Sequence, residues 1–237
     1  MSSHSTHPQR LYLIEVATLL PDHAPIPCYL VQMSDGTNVL IDSGLPVPLP
    51  PGHNKPVLGK DVVEQLATLG LHPDDIHMLI TTHFDVDHAG KHYAFTKAEI
   101  VVQRSHYAHS RTNHPRFADA RPQWDLPTLH YRLVDGDTQL LPGLEVIETS
   151  GHTIGHQAVL VRLPETGAVL LAADAVPSKN SFTLGRKAGG FDEDEEALNA
   201  STQKLLDLVE RERVSLVVFG HDAEQWQTLK KLPEFYS

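Results

Sequence analysis

Thr81-Thr82-His83-Phe84-Asp85-Val86-Asp87-His88-Ala89-Gly90 is the stretch from which the rest of this chain is read. His83, Asp85, Asp87 and His88 fall within six positions, and all four side chains carry metal-binding donor atoms. Ile76–Thr82 before them is apolar and β-branched, as a buried strand is, so the run begins where that strand ends. In an extended segment alternate residues face the same way. His83 and Asp85 can therefore share one ion. Asp87 and His88, at a turn into a helix, reach a second.

Further along the chain, three more donors follow apolar strands in the same manner. His152 follows Leu144–Thr149, Asp174 follows Leu170–Ala173, and His221 follows Val217–Phe219. Strand ends are rigidly held while their side chains open into a cleft. A lone His before a Gly is ordinarily a loop residue, a lone Asp after a strand ordinarily a cap, and Asp87 with His88 could be a capping pair. Four such groups, each at a strand end, point together to a metal centre. The histidines at 4, 7, 23, 53, 72, 77, 92, 106, 109, 114 and 130 lack this context and receive no role.

The chain has 237 residues, 41% of them hydrophobic, which suits one domain of a layered α/β fold, 1–237, with a polar N-terminus over 1–10 expected to be loose. A formal charge of −11 repels phosphate backbones and argues against a nucleic-acid partner. Cys28, the lone cysteine, excludes an intrachain disulfide and a cysteine-rich zinc site; its apolar setting, Cys28-Tyr29-Leu30-Val31, reads as core. No apolar run is long enough to span a membrane, and Leu11–Leu20 is broken by Glu15, a poor secretory signal; a cytoplasmic location is expected.

Strands are expected at Leu11–Leu19, Cys28–Met33, Asn38–Asp42, Glu99–Gln103, Tyr131–Val134, Gln157–Leu163, Ala168–Ala172 and Ser215–Phe219 besides those already named. Ser34-Asp35-Gly36-Thr37 makes a hairpin of the second and third. Leu45–Pro56 is a proline-rich loop. Lys60–Leu69 and Asp192–Arg211 carry helical periodicity, the latter with Asp192 as its cap and Glu195 three residues on. Ser105–Leu129 reads as helical fragments over the surface. Two halves, each of sheet plus helix, predict a four-layer αββα sandwich.

The motif His83-x-Asp85-x-Asp87-His88 resembles the His-x-His-x-Asp-His signature of the metallo-β-lactamase superfamily. Ile41-Asp42-Ser43-Gly44, Gly151-His152-Thr153-Ile154-Gly155-His156, Asp174 and His221 resemble its remaining motifs in order. Within it the chain is most similar to the acyl-homoserine lactonases, over Leu69–Arg104, Ser150–Ala175, Gly189-Gly190-Phe191-Asp192 and from Phe219 to Tyr236. That resemblance implies two divalent ions, zinc first among them. The first would take His83, Asp85, His152 and Asp174, and the second Asp87, His88, Asp174 and His221. Asp42 and His156 would orient ligands, Asp87 would shuttle the proton in catalysis, and Gly190 would meet the substrate. The implied partner is a small lactone, with neither nucleic acid nor membrane, and a homodimer is allowed.

Two positions depart from the lactonase pattern. Asp85 stands where lactonases have His, which either favours iron or manganese over zinc at the first position or lowers affinity there, and resembles the Glu of flavodiiron proteins. Pro177 stands where lactonases place a substrate-contacting Tyr; Ser178 and Tyr107 are the candidate replacements. The expected chemistry is opening of a lactone ring. Hydrolysis of another ester, a thioester or a β-lactam on the same scaffold, and a di-iron oxidoreductase, are the alternatives.

Overall fold

The computed structural model describes residues 6–50 and 56–237. The expected loop at Leu45–Pro56 and the loose N-terminus lie partly outside the described residues. Of the latter, positions 8–10 already belong to the first strand.

The first sheet has seven strands. They are β1 (Pro8–Leu19), β2 (Ala24–Met33), β3 (Asn38–Ile41), β4 (Val57–Leu58), β5 (Met78–Ile80), β6 (Glu99–Gln103) and β7 (His130–Val134), in the order β4-β1-β2-β3-β5-β6-β7. The second has five: β8 (Thr138–Leu141), β9 (Leu144–Glu148), β10 (Gln157–Leu163), β11 (Gly167–Ala173) and β12 (Leu216–Phe219), in the order β12-β11-β10-β9-β8. The helices are α1 (Val62–Thr68), α2 (Arg104–Ser110), α3 (Arg121–Trp124), α4 (Glu195–Arg211) and α5 (Ala223–Thr228).

Strand alternation explains the layering. Along β1, Leu11 and Leu13 enter the core between the sheets, while Tyr12, Ile14 and Val16 face outward beneath Val62 and Leu66 of α1. Along β10, Val159 and Val161 point inward, while Ala158 and Leu160 pack under Leu205 and Leu208 of α4. Each sheet is apolar on both faces because each is covered on both. The four layers are the αββα sandwich the sequence predicts. A separate cluster, Phe84, Phe117, Ala120 and Trp124, anchors the 105–129 excursion beside the first sheet, with Phe84 stacked on Trp124 at 4.2 Å.

Topology sets the site. β3 and β5 are parallel neighbours, as are β11 and β12, so the residues after each pair emerge side by side. Gln157 ties the sheets together here: its side-chain amide donates to Thr81 O at 2.8 Å, and its backbone N–H donates to Thr82 O at 3.1 Å. No helix among the described residues is long and apolar enough to cross a membrane.

Several boundaries differ from the sequence reading. α4 starts at Glu195 and is capped by Asp194, which accepts from Ala197 N at 3.0 Å. Asp192 caps nothing, because its carboxylate is engaged by His152 and by Gly189 N. The metal motif runs not into an α-helix but into turns and a short 3-10 turn, His92–Ala94. β4, β8 and α5 are short elements that the sequence reading passed over.

Candidate metal centre

The ligand segments leave the ends of strands, as expected, with His83 after β5, His152 beyond β9, Asp174 after β11 and His221 beyond β12, and Asp42 follows β3 beside them. Asp42 and Ala173 adopt φ of 57° and 46°, left-handed conformations that L-residues rarely hold, and both sit where a strand turns into the site. Gly220 is required by space. A Cβ there would fall 2.6 Å from Ala173 O and 2.9 Å from Asp174 Oδ1.

Four imidazoles converge, and each is anchored at its Nδ1. His88 Nδ1 donates to Asp42 Oδ2 at 2.8 Å. His83 Nδ1 donates to Thr82 Oγ1 at 3.0 Å, and that hydroxyl donates in turn to Asp42 Oδ2 at 2.7 Å. His152 Nδ1 donates to Asp192 Oδ1 at 3.0 Å, and His221 Nδ1 to Pro25 O at 2.8 Å. An acceptor on Nδ1 fixes the tautomer and leaves Nε2 bare. All four Nε2 atoms lie against the carboxylates of the centre.

The donor atoms have metal-sized spacings. A four-coordinate ion with bonds of about 2.1 Å needs donors about 3.4 Å apart. His88 Nε2 lies 3.7 Å from Asp87 Oδ2 and 3.4 Å from Asp174 Oδ1. His221 Nε2 lies 3.8 Å and 3.1 Å from the same two atoms. Around the first position, His83 Nε2 is 3.4 Å from Asp85 Oδ2 and 3.8 Å from Asp174 Oδ2. His152 Nε2 is 3.4 Å and 3.3 Å from those oxygens. Asp174 spans both sets, one oxygen to each. His83 Nε2, His88 Nε2 and Asp174 Oδ1 are buried without a hydrogen-bond partner. Such orphaned atoms are costly unless something else satisfies them, and a divalent ion does so. The residues Asp87, His88, Asp174 and His221 fit such an ion.

Electrostatics agree. Against burial, Asp174, Asp87 and Asp42 hold the His88 imidazole well above its ordinary pKa. Against burial too, Asp174 and Asp87 lift His221 to about 9. His83 is the exception, pushed well below by burial and by the His88 charge. Burial raises the Asp42 carboxyl, and His88 and Thr82 offset part of that rise.

His156, expected to orient a ligand, packs its ring 5.0 Å from that of His83 and bonds through Nδ1 to Thr149 Oγ1 at 2.8 Å. It supports by packing, with no hydrogen bond to a ligand candidate. Gly190 is exposed, on the turn that holds Asp192. Ser178 and Tyr107 are both engaged elsewhere, Ser178 with Ser181 Oγ at 3.0 Å and Tyr107 with Arg111. Pro177 uses its carbonyl to hold His221 N–H at 2.8 Å.

Sequence reading missed two kinds of residue. His92 and His106, given no role, are fully buried braces. His92 bridges Ser43 Oγ and Thr81 Oγ1, both at 2.7 Å. His106 accepts from Phe84 N at 2.8 Å and donates to Ile154 O at 2.7 Å. Arg116 is the larger omission. From a 3-10 turn at Pro115–Phe117 it grips both oxygens of Asp85, each at 2.6 Å. The signal was Asp85 itself, since a buried carboxylate calls for a cation. The imidazoles of His83 and His152 and the Arg116 guanidinium outweigh burial and hold that carboxyl well below its usual range.

The family model for the metallo-beta-lactamase superfamily matches residues 22–221. The chain belongs to that superfamily. An N-acyl homoserine lactonase from a Bacillus species is 30% identical, with 96% of this chain and 98% of that protein covered. The N-acyl homoserine lactonase AttM of Rhizobium johnstonii is 33% identical over 90% of this chain and 88% of its own length. An N-acyl homoserine lactone hydrolase, solved with N-hexanoyl-L-homoserine bound at its catalytic metal centre, superposes with a TM-score of 0.84. It is 28% identical and covers 97% of this chain and 100% of that one.

Proposed function

We propose that this superfamily member is a metal-dependent lactonase that opens the ring of N-acyl homoserine lactones, a quorum-quenching activity. The observation that carries the reading is the set Asp87, His88, Asp174 and His221, whose two imidazoles lie 3.1–3.8 Å from both carboxylates and are anchored behind the site. Similarity to named lactonases along almost the whole chain supports the choice of substrate.

A divalent ion, when bound, supplies Lewis-acid activation of water and of the ester carbonyl. The chain's own residues do the rest. The half-buried Asp87 carboxylate receives the proton of the attacking water and returns it to the leaving alkoxide. Asp42 keeps His88 in the tautomer that presents Nε2. Gly190 offers unhindered backbone to the lactone's polar head, and the adjacent Phe191, 82% exposed, offers apolar surface to the acyl chain. Zinc suits the position that pairs the His88 and His221 imidazoles with Asp87 and Asp174. A cytoplasmic location and a homodimer belong to the same proposal.

A pH-indicator assay across homoserine lactones, thioesters and β-lactams tests it. Acid release from homoserine lactones alone is expected. Turnover of another class with none of the lactones overturns the assignment.

A further inference from the structure

The first metal position is not built like the second, and the difference is Arg116. Its guanidinium has five N–H donors, and every one has a partner at the site. Nε donates to Asp85 Oδ1 and one Nη2 hydrogen to Asp85 Oδ2, each at 2.6 Å. The two Nη1 hydrogens go to His152 O at 3.1 Å and Phe191 O at 2.6 Å. The last Nη2 hydrogen points at His152 Nε2, also at 2.6 Å. The side chain is only 13% exposed. A guanidinium with all its donors used and its charge paired bidentately is a built feature of the interior, well suited to Arg and not to Lys.

That fifth bond matters most. An imidazole nitrogen has one lone pair in the ring plane, and it can serve a proton donor or a metal, not both. His152 Nδ1 is committed to Asp192, so Nε2 is the only atom His152 has for an ion, and Arg116 holds it. Asp85 Oδ2, the neighbouring donor, is held by the same nitrogen. Nothing comparable touches the other set. Among the described residues, His88 Nε2 has no hydrogen-bond partner, and His221 Nε2 meets only carboxylates.

We propose that Arg116 is the resident cation of the first position, neutralising Asp85 and holding the lone pair of His152, so that the protein binds a single divalent ion tightly, at Asp87, His88, Asp174 and His221. Asp85 and Arg116 then form an ion pair standing where a first ion would otherwise sit. The inference rests on reading the cluster as a metal centre, and it stands whichever ester is the substrate.

Metal stoichiometry tests it without recourse to activity. Purified chain is titrated with zinc against a chromophoric chelator, dialysed, and its zinc counted by elemental analysis, beside Arg116→Met and Arg116→Gln. One tightly held zinc per wild-type chain and two per variant chain are expected. Two tight ions in the wild type overturn the proposal, as does one ion in wild type and in a folded variant alike, which would lay the loss on Asp85 alone. Should neither variant fold, the wild-type count still decides. No zinc bound by any form would sink the metal-centre reading itself, an outcome distinct from the other two.

Discussion

Asp42 Oδ2 accepts the Nδ1 hydrogen of His88 at 2.8 Å across 46 residues of sequence, and both side chains are buried. The carboxylate also takes the N–H and hydroxyl of Thr82, which in turn accepts from His83. One residue thus sets the orientation of two ligand imidazoles. Asp42→Asn keeps the shape but loses the charge and one acceptor. Zinc affinity should fall about 10–100-fold, the usual cost of losing such a partner. Chelator competition at fixed pH measures it, and an unchanged affinity would remove Asp42 from this role.

Asp87 has a different task from its neighbours His88 and Asp174, because it is half-buried while both of them are buried. Asp87→Asn removes the proton acceptor and leaves an oxygen donor. The turnover number should fall by about 10²-fold or more, while the circular dichroism and the melting temperature hold. Activity near that of wild type would exclude the proton-shuttle role.

Metal binding must displace protons. His221 is raised to about 9, and His88 also well above its ordinary value. Near pH 7.5 the His221 imidazole is protonated, so loading the Asp87–His88–Asp174–His221 position should release that proton, with a further share from His88. Apparent affinity should therefore climb with pH until about 9. The metal-free fold follows the opposite sign. The protonated form of a raised histidine stabilises it in full below the unfolded value, and that contribution is lost as pH rises through about 9. Calorimetry in buffers of different ionisation enthalpy counts the protons; a heat independent of buffer would contradict the scheme.

His106 has no donor aimed at the centre, yet it joins the Phe84 and Ile154 backbones, which flank His83 and His152. His106→Ala leaves the buried Phe84 N–H and the Ile154 carbonyl unpaired and opens a cavity. The cost should be about 3 kcal/mol, a drop of about 10 °C in melting temperature for a chain of this size. Thermal unfolding of the metal-free protein reads it directly, and a drop under a few degrees would show that water or side-chain rearrangement restores those bonds.

The layers and seven ligand candidates were legible in the sequence because each depends on local pattern. Apolar alternation names the strands, and a donor placed after a strand names the site. His92 and His106 escaped notice because their partners are Ser43, Thr81, Phe84 and Ile154, groups that only the folded chain brings near. Asp192 escaped for the reverse reason. Its local pattern fits a helix cap, but His152, 40 residues away, takes the carboxylate. Arg116 comes from the irregular 105–129 stretch, where no periodicity marks which side chain turns inward. Asp85 announced that some cation was needed without saying which.

The metal-dependent opening of a lactone ring is tested most directly by mass spectrometry of N-hexanoyl homoserine lactone incubated with zinc-loaded protein and with the same protein stripped by chelator. Conversion to the ring-opened acid, one water heavier, should occur with loaded protein, stop on stripping and return when zinc is restored. Conversion that persists in stripped protein, or an intact lactone alongside fully loaded protein, would contradict the account.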